Sequence, residues 1–483
     1  MSKTAPIRPL SGFPELLPGP RSVESAVIAT LARTFELHGF ANVETRAVEP
    51  LDQLLRKGET SKEVYVLRRL QADPDDASAA DRSGLGLHFD LTVPFARYVL
   101  ENAGKLEFPF RRYQIQKAWR GERPQEGRYR EFTQADIDIV GRDVLPFHHD
   151  VEVTRVMLDA LSQLDFLPPF RLQVNNRKLI QGFYTGLGVP DVDECMRVID
   201  KLDKLPADAV RGLLVDEVGL TADQADQCLE LAAICTDDET FVKQVRALGV
   251  SHPLLDEGLA ELAELIRGCA SLVTDRVKVV ADLKIARGLD YYTGTVFETR
   301  LEGSESLGSI CSGGRYDALA SDGRTTYPGV GISLGVSRVL VPLLNRGALE
   351  ASRSVPSAVL VALVDEDSRP ASDAIAAALR GHGVPCEVAA SAQKFGKQIR
   401  YAERRGIPYV WFTNAEGGHE VKDIRTGEQS PADPATWTPP AEDLRPSVVS
   451  NGPTGPTRPT HSPGSTPPTG DATGRPATKE QHQ

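Results

Sequence analysis

The sequence predicts an α+β protein, in which an antiparallel sheet with a helical insertion is followed by a smaller α/β domain. Residues 111–141 contain two alternating stretches that predict a β-hairpin. Residues from about 176 to 270 repeat apolar side chains at helical spacing, and strand-like and helix-like segments alternate further on. We therefore expect a first domain over residues 1–345, a second over residues 355–435, and a disordered tail rich in Pro, Gly and Thr over residues 440–483.

The composition is typical of a soluble globular protein. Hydrophobic residues make up 41% and charged residues 25% of the 483 positions. No run approaches the roughly 18 apolar residues of a membrane span, and the first residues lack the apolar core of a secretion signal. The net charge of -12 excludes a uniformly basic surface, but it permits a local arginine cluster that docks phosphates.

The cysteines favour a reducing compartment. The six cysteines are scattered and none belongs to a C-x-x-C pair. This pattern indicates neither a zinc site nor a disulfide framework. We expect a cytoplasmic protein with no metal site built from clustered side chains.

Two helix starts are predicted upstream of the hairpin. Ser22 is the expected N-cap of a helix that ends near Gly39, and alternation from Val43 predicts a strand that runs into Pro50. A second helix is expected to begin near Thr92, because Pro94 suits a first helical turn.

The predicted hairpin has one unusually polar face. By alternation this face carries Arg112, Gln114, Gln116, Ala118 and Arg120 on the first strand and Phe132, Gln134, Asp136 and Asp138 on the second. The connecting loop adds Glu122, Arg123, Arg128 and Arg130. A polar sheet face edged with arginines suits a ligand with both a phosphate and a polar small-molecule part. A solvated antiparallel hairpin would show the same pattern.

Asp90 and Thr92, in the stretch FDLT, lie where a strand becomes a helix. A carboxylate and a hydroxyl at this position could hold a ligand ammonium. A helix cap, in which either side chain accepts from first-turn amides, explains the same residues without a ligand.

Two later stretches add candidate ligand-binding residues. In ARGLDYYTGTVFE the adjacent Tyr291 and Tyr292 cannot both enter the same core, so one of them is available to line a pocket unless each simply covers one face of a hairpin. In GVGISLGVSRVL small residues leave room for a planar group, and Arg338 falls in the first turns of a helix, where phosphate is attracted. A surface arginine on an amphipathic helix is the ordinary alternative. Neither a P-loop nor a G-x-G-x-x-G fingerprint is present.

Together these stretches resemble the histidyl-tRNA synthetases, a family of class II aminoacyl-tRNA synthetases, from about residue 5 to about residue 430. KAWRGERPQEGRYREFTQADIDIVG resembles the family's motif 2, PGVGISLGVSRVL its motif 3, and residues 30–55 its motif 1, the dimer element. RGLDYYTGTVFE and SGGRYDALA resemble its two histidine signatures. The combination of RGLDYYTGTVFE with DLTVPFARY is the specific part of the match.

The resemblance implies a class II antiparallel-sheet catalytic core and a C-terminal α/β anticodon-binding domain. It implies a ligase that activates L-histidine with ATP, releases pyrophosphate and transfers histidine from the adenylate to the 3' end of histidine tRNA. Mg²⁺ would accompany the ATP phosphates, no tightly bound organic cofactor is implied, and the protein would be a homodimer that does not enter membranes. The alternative is a non-catalytic relative, the regulatory subunit of ATP phosphoribosyltransferase, although no signature residue is replaced in this sequence.

The resemblance also assigns residues to roles. Arg287 and Arg120 would be catalytic, acting on the charge at the α-phosphate. The residues implied to bind histidine are Asp90, Leu91, Thr92, Arg120, Gln134, Asp138, Arg287, Tyr291 and Tyr292. Those implied to bind ATP are Arg120, Glu122, Arg128 and Arg338. The basic residues Lys397, Arg400 and Arg404 share one helix face and would contact tRNA, and residues 123–127 would approach its acceptor end.

Overall fold

The computed structural model describes residues 8–55, 63–68, 84–285, 292–318, 320–414 and 416–452. Within these residues a nine-stranded, mostly antiparallel sheet forms the centre of the first domain and a five-stranded mixed sheet forms a separate C-terminal unit. The helices are α1 Pro18–Leu37, α2 Leu51–Leu54, α3 Thr92–Asn102, α4 His148–Ser162, α5 Arg177–Gly186, α6 Val192–Asp200, α7 Ala207–Asp216, α8 Ala222–Ala232, α9 Thr240–Ala247, α10 Pro253–Cys269, α11 Val336–Asn345, α12 Arg369–Gly381, α13 Phe395–Arg405 and α14 Ala441–Leu444. In the described part of the chain no helix has the length and apolar character needed to cross a membrane.

The strands of the two main sheets and of two smaller sheets are numbered in the order in which they occur along the chain. They are β1 Ala41–Asn42, β2 Val48–Pro50, β3 Val66–Leu67, β4 Leu85–Leu87, β5 Phe110–Trp119, β6 Glu131–Val140, β7 Phe170–Asn176, β8 Cys235–Thr236, β9 Val277–Asp282, β10 Thr295–Leu301, β11 Cys311–Tyr316, β12 Gly329–Gly335, β13 Leu349–Ala351, β14 Val359–Val361, β15 Cys386–Val388, β16 Tyr409–Thr413, β17 His419–Asp423, β18 Gln429–Pro431 and β19 Val448–Ser450. The large sheet has the order β1-β5-β6-β12-β11-β10-β7-β9-β8.

The predicted hairpin is present as β5 and β6 at the centre of one half of this sheet. Tyr113, Ile137 and Ile139 alternate onto the face that is buried against α1 and α4, in the same apolar core as Phe35 and Val156. Burial of this face leaves the opposite face, with its polar side chains, directed away from that core. The alternation predicted from the sequence therefore correctly separates the packing face from the polar face.

The helical insertion is also confirmed, as α5 to α10. It is anchored where α5 and α10 cross at close range. A Cβ on Gly182 would lie 2.2 Å from the backbone nitrogen of Leu255, and one on Gly258 would lie 2.2 Å from that of Leu179. The two glycines thus permit a backbone approach that any larger residue would prevent. One short strand, β8, leaves the insertion to pair with β9 at the edge of the large sheet.

The C-terminal unit has the α/β character that the sequence predicts. Strands β14, β15 and β16 are parallel, and β17 and β18 extend the sheet with antiparallel pairing. Val359, Val361 and Trp411 are buried against Leu379 of α12 on one side of the sheet. The continuous apolar run of this strand region fits a parallel sheet that is covered on both faces.

The predicted disordered tail is wrong for residues 441–450. Residues 441–444 form α14, and β19 pairs with β13, so that Ala351 faces Val448 and Leu349 faces Ser450. Val448 packs against the main apolar core, which gives this polar segment a folded position. The rest of the predicted tail, residues 453–483, lies outside the described residues.

Of two local predictions near the N-terminus, one is wrong and the other is correct only in part. Helix α1 begins at Pro18, not after Ser22, whose hydroxyl instead donates to the Pro18 carbonyl within the helix. Proline at the first helical position supplies the start without a side-chain cap. The strand expected from Val43 into Pro50 is confirmed only at its end, where Val48–Pro50 forms β2, and the short strand β1 precedes it at Ala41–Asn42.

Candidate active site

The polar face of the hairpin is assembled by the register of β5 and β6. Arg112 lies opposite Asp138, Gln114 opposite Asp136 and Gln116 opposite Gln134. Each cross-strand pair therefore joins residues that sequence alternation had placed on the same face. The result is a continuous row of hydrogen-bonding groups on one side of the sheet.

Asp138 is the most completely held of these groups. Its Oδ2 lies 2.6 Å from Nη2 of Arg112, and its Oδ1 accepts a hydrogen bond of 2.7 Å from the hydroxyl of Tyr316. Arg112 is fully buried, and its guanidinium carbon lies 4.2 Å from the ring centroid of Phe95. Two partners on different strands, Arg112 on β5 and Tyr316 on β11, fix the position of the carboxylate.

The space for this carboxylate depends on a glycine of β12. Gly331 lies opposite Asp138 in the register, and a Cβ there would be only 2.2 Å from Oδ1 of Asp138. Gly329 has a similar role beside Tyr316, because a Cβ there would lie 2.4 Å from the tyrosine ring. The small residues that the sequence presents in GVGIS therefore make room for the Asp138–Tyr316 contact.

A basic cleft lies next to this row. Its lining includes Arg120, Arg128 and Arg338 together with Glu122 and Gln134. Arg120 is oriented by its Nε, which donates to the Phe89 carbonyl at 2.9 Å. Three guanidinium groups with a single carboxylate between them give the cleft a surplus of positive charge, which suits a polyphosphate.

Arg338 shows how strongly the cations are concentrated here. Burial, together with the nearby Arg128 and Arg120, lowers the pKa of Arg338 below its ordinary value. Its Nε donates to the Gly127 carbonyl at 3.1 Å, and its Nη1 donates to the Ser309 carbonyl. An anion bound in the cleft would relieve the repulsion between these like charges. Arg338 is therefore held in the cleft and is not a surface arginine.

At the start of α3, Asp90 makes the contact expected of a helix cap. Its Oδ1 accepts from the backbone nitrogen of Val93 at 3.1 Å. The capping explanation is thus correct for one oxygen of a side chain that is itself buried. Thr92 is the first residue of the helix, and the Leu91 carbonyl lies 3.5 Å from Nη2 of Arg112, so this turn adjoins the polar row.

The histidine signature is only partly within the described residues. Tyr292 is described, and its ring packs so close to β11 that a Cβ on Gly314 would lie 2.8 Å from it. It is also close enough to Tyr316 to contribute to raising the pKa of that phenol. Arg287 and Tyr291 lie outside the described residues.

Two further residues of the site are Arg112 and Tyr316, to which the sequence assigned no role. Alternation had placed Arg112 on the polar face, but only the strand register shows that it pairs with Asp138. Tyr316 belongs to SGGRYDALA and reaches Asp138 because β12 lies between β11 and β6. The sequence therefore marked both residues, through the polar face for Arg112 and through the signature for Tyr316, but it did not show that either one contacts Asp138.

The predicted tRNA-contact residues also lie together. Lys397, Arg400 and Arg404 of α13 line one groove of the C-terminal unit, which also includes Glu403 and Tyr401. The spacing of the three cations along the helix is therefore reflected in a shared surface. Phosphate contacts require such a local cluster, not a basic protein as a whole.

The antiparallel sheet, with its arginine-lined cleft beside a polar floor, is the catalytic core of a class II aminoacyl-tRNA synthetase. The histidyl-tRNA synthetase family model matches residues 12–339, and an anticodon binding domain model matches residues 358–434. The chain belongs to the histidyl-tRNA synthetase family.

Individual relatives agree with this assignment. A histidine–tRNA ligase of Cutibacterium acnes is 60% identical over 454 residues, which cover 92% of this chain and 99% of that protein. The crystal structure of a histidyl-tRNA synthetase from Nostoc sp. PCC 7120 matches with a TM-score of 0.77 and 31% identity, over 89% of this chain and 97% of that one. The crystal structure of an ATP phosphoribosyltransferase regulatory subunit/histidyl-tRNA synthetase from Bacillus halodurans matches with a TM-score of 0.67 over 83% of this chain and 97% of that chain, and its 20% identity shows the fold alone.

Proposed function

We propose that this protein is a histidine–tRNA ligase, which activates L-histidine with ATP and transfers it to histidine tRNA. The observation that carries the proposal is the junction of two sites on one sheet face. A cleft lined by Arg120, Arg128 and Arg338 also includes Gln134, and Gln134 lies on the same face of β6 as Asp136 and the fixed carboxylate of Asp138. Such a junction suits a molecule with a polyphosphate at one end and a polar ring at the other.

In the activation step the histidine carboxylate attacks the α-phosphate of ATP and displaces pyrophosphate. Arg120 holds the α-phosphate, while Arg338 clamps the nucleotide from the opposite side of the cleft, assisted by Arg128 and Glu122. Positive groups fixed before the reaction stabilise the charge that develops on the phosphate oxygens. Arg287 is assigned to the same charge by its place in the histidine signature. Mg²⁺ is expected to arrive with ATP as part of the substrate.

Histidine specificity is assigned to the polar row. Gln134, with Asp90 and Thr92 at the adjoining helix start, receives the ammonium group. Asp138 accepts a ring N–H, and Tyr292 with Tyr291 completes the imidazole site. Since Arg112 and Tyr316 fix the Asp138 carboxylate, an amino acid without a ring donor would forgo the charge-assisted hydrogen bond that histidine makes with it, which disfavours binding of that amino acid.

The regulatory-subunit alternative is not favoured. The C-terminal anticodon-binding domain is present, and the described cleft retains Arg120, Arg128 and Arg338, the arginines assigned to ATP. The curated relatives that cover nearly the whole chain are named as ligases. A non-catalytic subunit would bind its ligand without forming an adenylate.

We propose the same division of the chain as the sequence predicts, with catalysis over residues 1–345 and anticodon binding over residues 355–435. The groove with Lys397, Arg400 and Arg404 is assigned to tRNA phosphates, and residues 123–127 to the acceptor end. We also propose a cytoplasmic homodimer. The cytoplasmic location is supported by the six cysteines, which all lie in the described residues and form no disulfide there. The dimer is supported by the exposed apolar side chains of Leu55, Val66 and Leu85, which suit a subunit contact near the small sheet of β2, β3 and β4.

Charging of a histidine tRNA transcript tests this proposal, with pyrophosphate exchange measured in parallel. The triple variant with alanine at positions 397, 400 and 404 should raise the KM for tRNA by about tenfold and weaken its salt dependence, because phosphate contacts are lost. Exchange should be unchanged, since that reaction needs no tRNA. Lys243→Ala, an exposed lysine of the insertion, is the matched control. Exchange without any charging would contradict the proposed function.

Arg287→Ala separates binding from chemistry. Adenylate formation should be abolished while histidine binding is largely retained, because this arginine is assigned to charge on the phosphate. Equal loss of binding and adenylate formation would show that the role given to Arg287 is wrong.

A further inference from the structure

Asp136 is a buried carboxyl group that the proposed reaction leaves without a role. It lies on the polar face of β6 between Gln134 and Asp138, and only 1% of its surface is exposed. Across the sheet it faces Gln114 on one side and Ser333 on the other. Burial of a carboxyl group at such a position costs free energy unless neighbouring groups form hydrogen bonds with it.

Gln134 forms a hydrogen bond with this carboxyl group. Nε2 of Gln134 donates to Oδ1 of Asp136 at 3.5 Å, a long hydrogen bond between residues two apart on one strand. Gln114 does not compete for this carboxyl group, because its Nε2 donates to Oγ1 of Thr45 at 3.0 Å and to Oε1 of Gln116 at 2.6 Å. Gln134 is therefore the amide whose orientation depends on Asp136.

That orientation decides which end of the amide meets a ligand. A side-chain amide has a donor end and an acceptor end of nearly equal size, and hydrogen bonding selects between them. With its nitrogen directed at Asp136, Gln134 keeps Oε1 buried and without a hydrogen-bond partner in the described part of the chain. Gln134 itself lines the basic cleft. An unused acceptor at this point matches a cationic N–H group.

We propose that Asp136 is a positioning residue, which holds the Gln134 amide so that Oε1 accepts a hydrogen bond from the ammonium group of the bound amino acid. The inference rests on the proposed function, because it takes Gln134 as a ligand of that ammonium. In the opposite orientation the amide would direct N–H groups at a cation, and binding would weaken.

The charge state of Asp136 strengthens the argument. Burial raises the pKa of its carboxyl from about 3.8 to about 7, even though Arg112 and the Ser333 hydroxyl act to lower it. The other charged or titratable groups that face it are Asp138 on the same strand, Asp90 before α3 and the Cys311 thiol on β11. An ionised carboxyl group can only accept, whereas a protonated one can donate to Oε1 and release the selected orientation.

Asp136→Asn tests the proposal with two competitive inhibitors of histidine-dependent exchange. Histidinol has the imidazole and the ammonium but no carboxylate, and 3-(imidazol-4-yl)propionate has the imidazole and the carboxylate but no ammonium. The substitution should raise the inhibition constant of histidinol at least about fivefold, because one charge-assisted hydrogen bond is lost. It should leave the inhibition constant of the propionate unchanged. Equal weakening of both would indicate a merely structural role, and unchanged binding of histidinol would also overturn the proposal.

The wild-type protein provides a second test that needs no variant. Each inhibition constant is measured at about pH 6 and about pH 8 and is corrected for titration of that inhibitor's own imidazole, and the ratio of the two corrected constants is compared. Histidinol should bind more tightly relative to the propionate at the higher pH, because Asp136 is then ionised. A constant ratio would refute the inference. Failure of histidine itself to support exchange would instead count against the proposed function.

Discussion

Arg112 and Asp138 form a buried ion pair across strands β5 and β6. Nη2 of Arg112 lies 2.6 Å from Oδ2 of Asp138, and the two side chains are 0% and 4% exposed. A buried pair of this kind costs desolvation free energy, which good geometry and additional hydrogen bonds must offset. Tyr316 supplies one of those bonds to Asp138 and the Phe95 ring covers the guanidinium. The arrangement stabilises a charged carboxylate where the proposed function needs one.

Removal of the arginine should therefore be costly. Arg112→Met should lower the free energy of unfolding by about 3–5 kcal/mol, because a buried carboxylate loses its partner. It should also raise the KM for histidine. Arg111→Met is the matched control, because Arg111 lies on the other face of the strand. The side chains of Arg111 and its partner Glu152 are 31% and 29% exposed. That change should cost no more than about 1 kcal/mol. Urea denaturation of both variants measures the difference, and equal costs would contradict the assigned role of the buried pair.

Gly331 should tolerate no side chain. Gly331→Ala would bring a methyl group into the Asp138 carboxylate and into the Ile137 carbonyl. We expect a stability loss of about 1–3 kcal/mol from overpacking and a higher KM for histidine. Gly212→Ala, in a helix with open space around the added methyl, should be neutral or stabilising by up to about 1 kcal/mol. Thermal unfolding and exchange kinetics provide the comparison, and wild-type behaviour of Gly331→Ala would show that the carboxylate can move.

Asp136 should make stability depend on pH. Its folded pKa of about 7 lies above its ordinary value of 3.8, so the folded state holds the proton more tightly than the unfolded chain. This contribution to stability is fully present below about pH 4 and is lost as the pH rises to about 7. Asp136→Asn removes the titration. The thermal midpoint of the variant relative to wild type should therefore increase between about pH 5 and about pH 8. A difference that does not vary with pH would show that the folded pKa is not raised.

The end of the described chain should contribute to the stability of the first domain. A protein truncated after Arg445 loses β19, its pairing with β13 and the backbone hydrogen bond from Asn451 to the Ala348 carbonyl. Leu349, only 2% exposed, would lose part of its cover. We expect a lower thermal midpoint than for a protein truncated after Gly452, which retains all of these contacts. Identical midpoints would show that β19 is dispensable.

The sequence predicts one half of the site better than the other, for a physical reason. Side chains alternate along each strand, so the shared face of Gln134, Asp136 and Asp138 follows from local periodicity. The contact of Tyr316 with Asp138 joins residues 178 positions apart and depends on strand order, which alternation does not specify. For Arg112 the sequence predicts the face but not the partner.

The fold shows the same division. The hairpin, a long periodic segment, is predicted with its type and nearly its limits, and the helical character of the insertion that contains α10 is predicted as well. The two-residue strand β8 and the three-residue strand β19 are too short to show any period, and their pairing is decided by what they pack against. Helix α1 starts at Pro18, whereas the sequence predicts a start after the expected cap residue Ser22.

Pyrophosphate exchange with each of the standard amino acids in turn tests the central claim most directly. The Asp138 carboxylate, held by Arg112 and Tyr316 beside the arginine-lined cleft, predicts ATP-dependent exchange with histidine and with no other amino acid. Folded protein that supports no exchange with histidine, or that activates a different amino acid, would contradict the account.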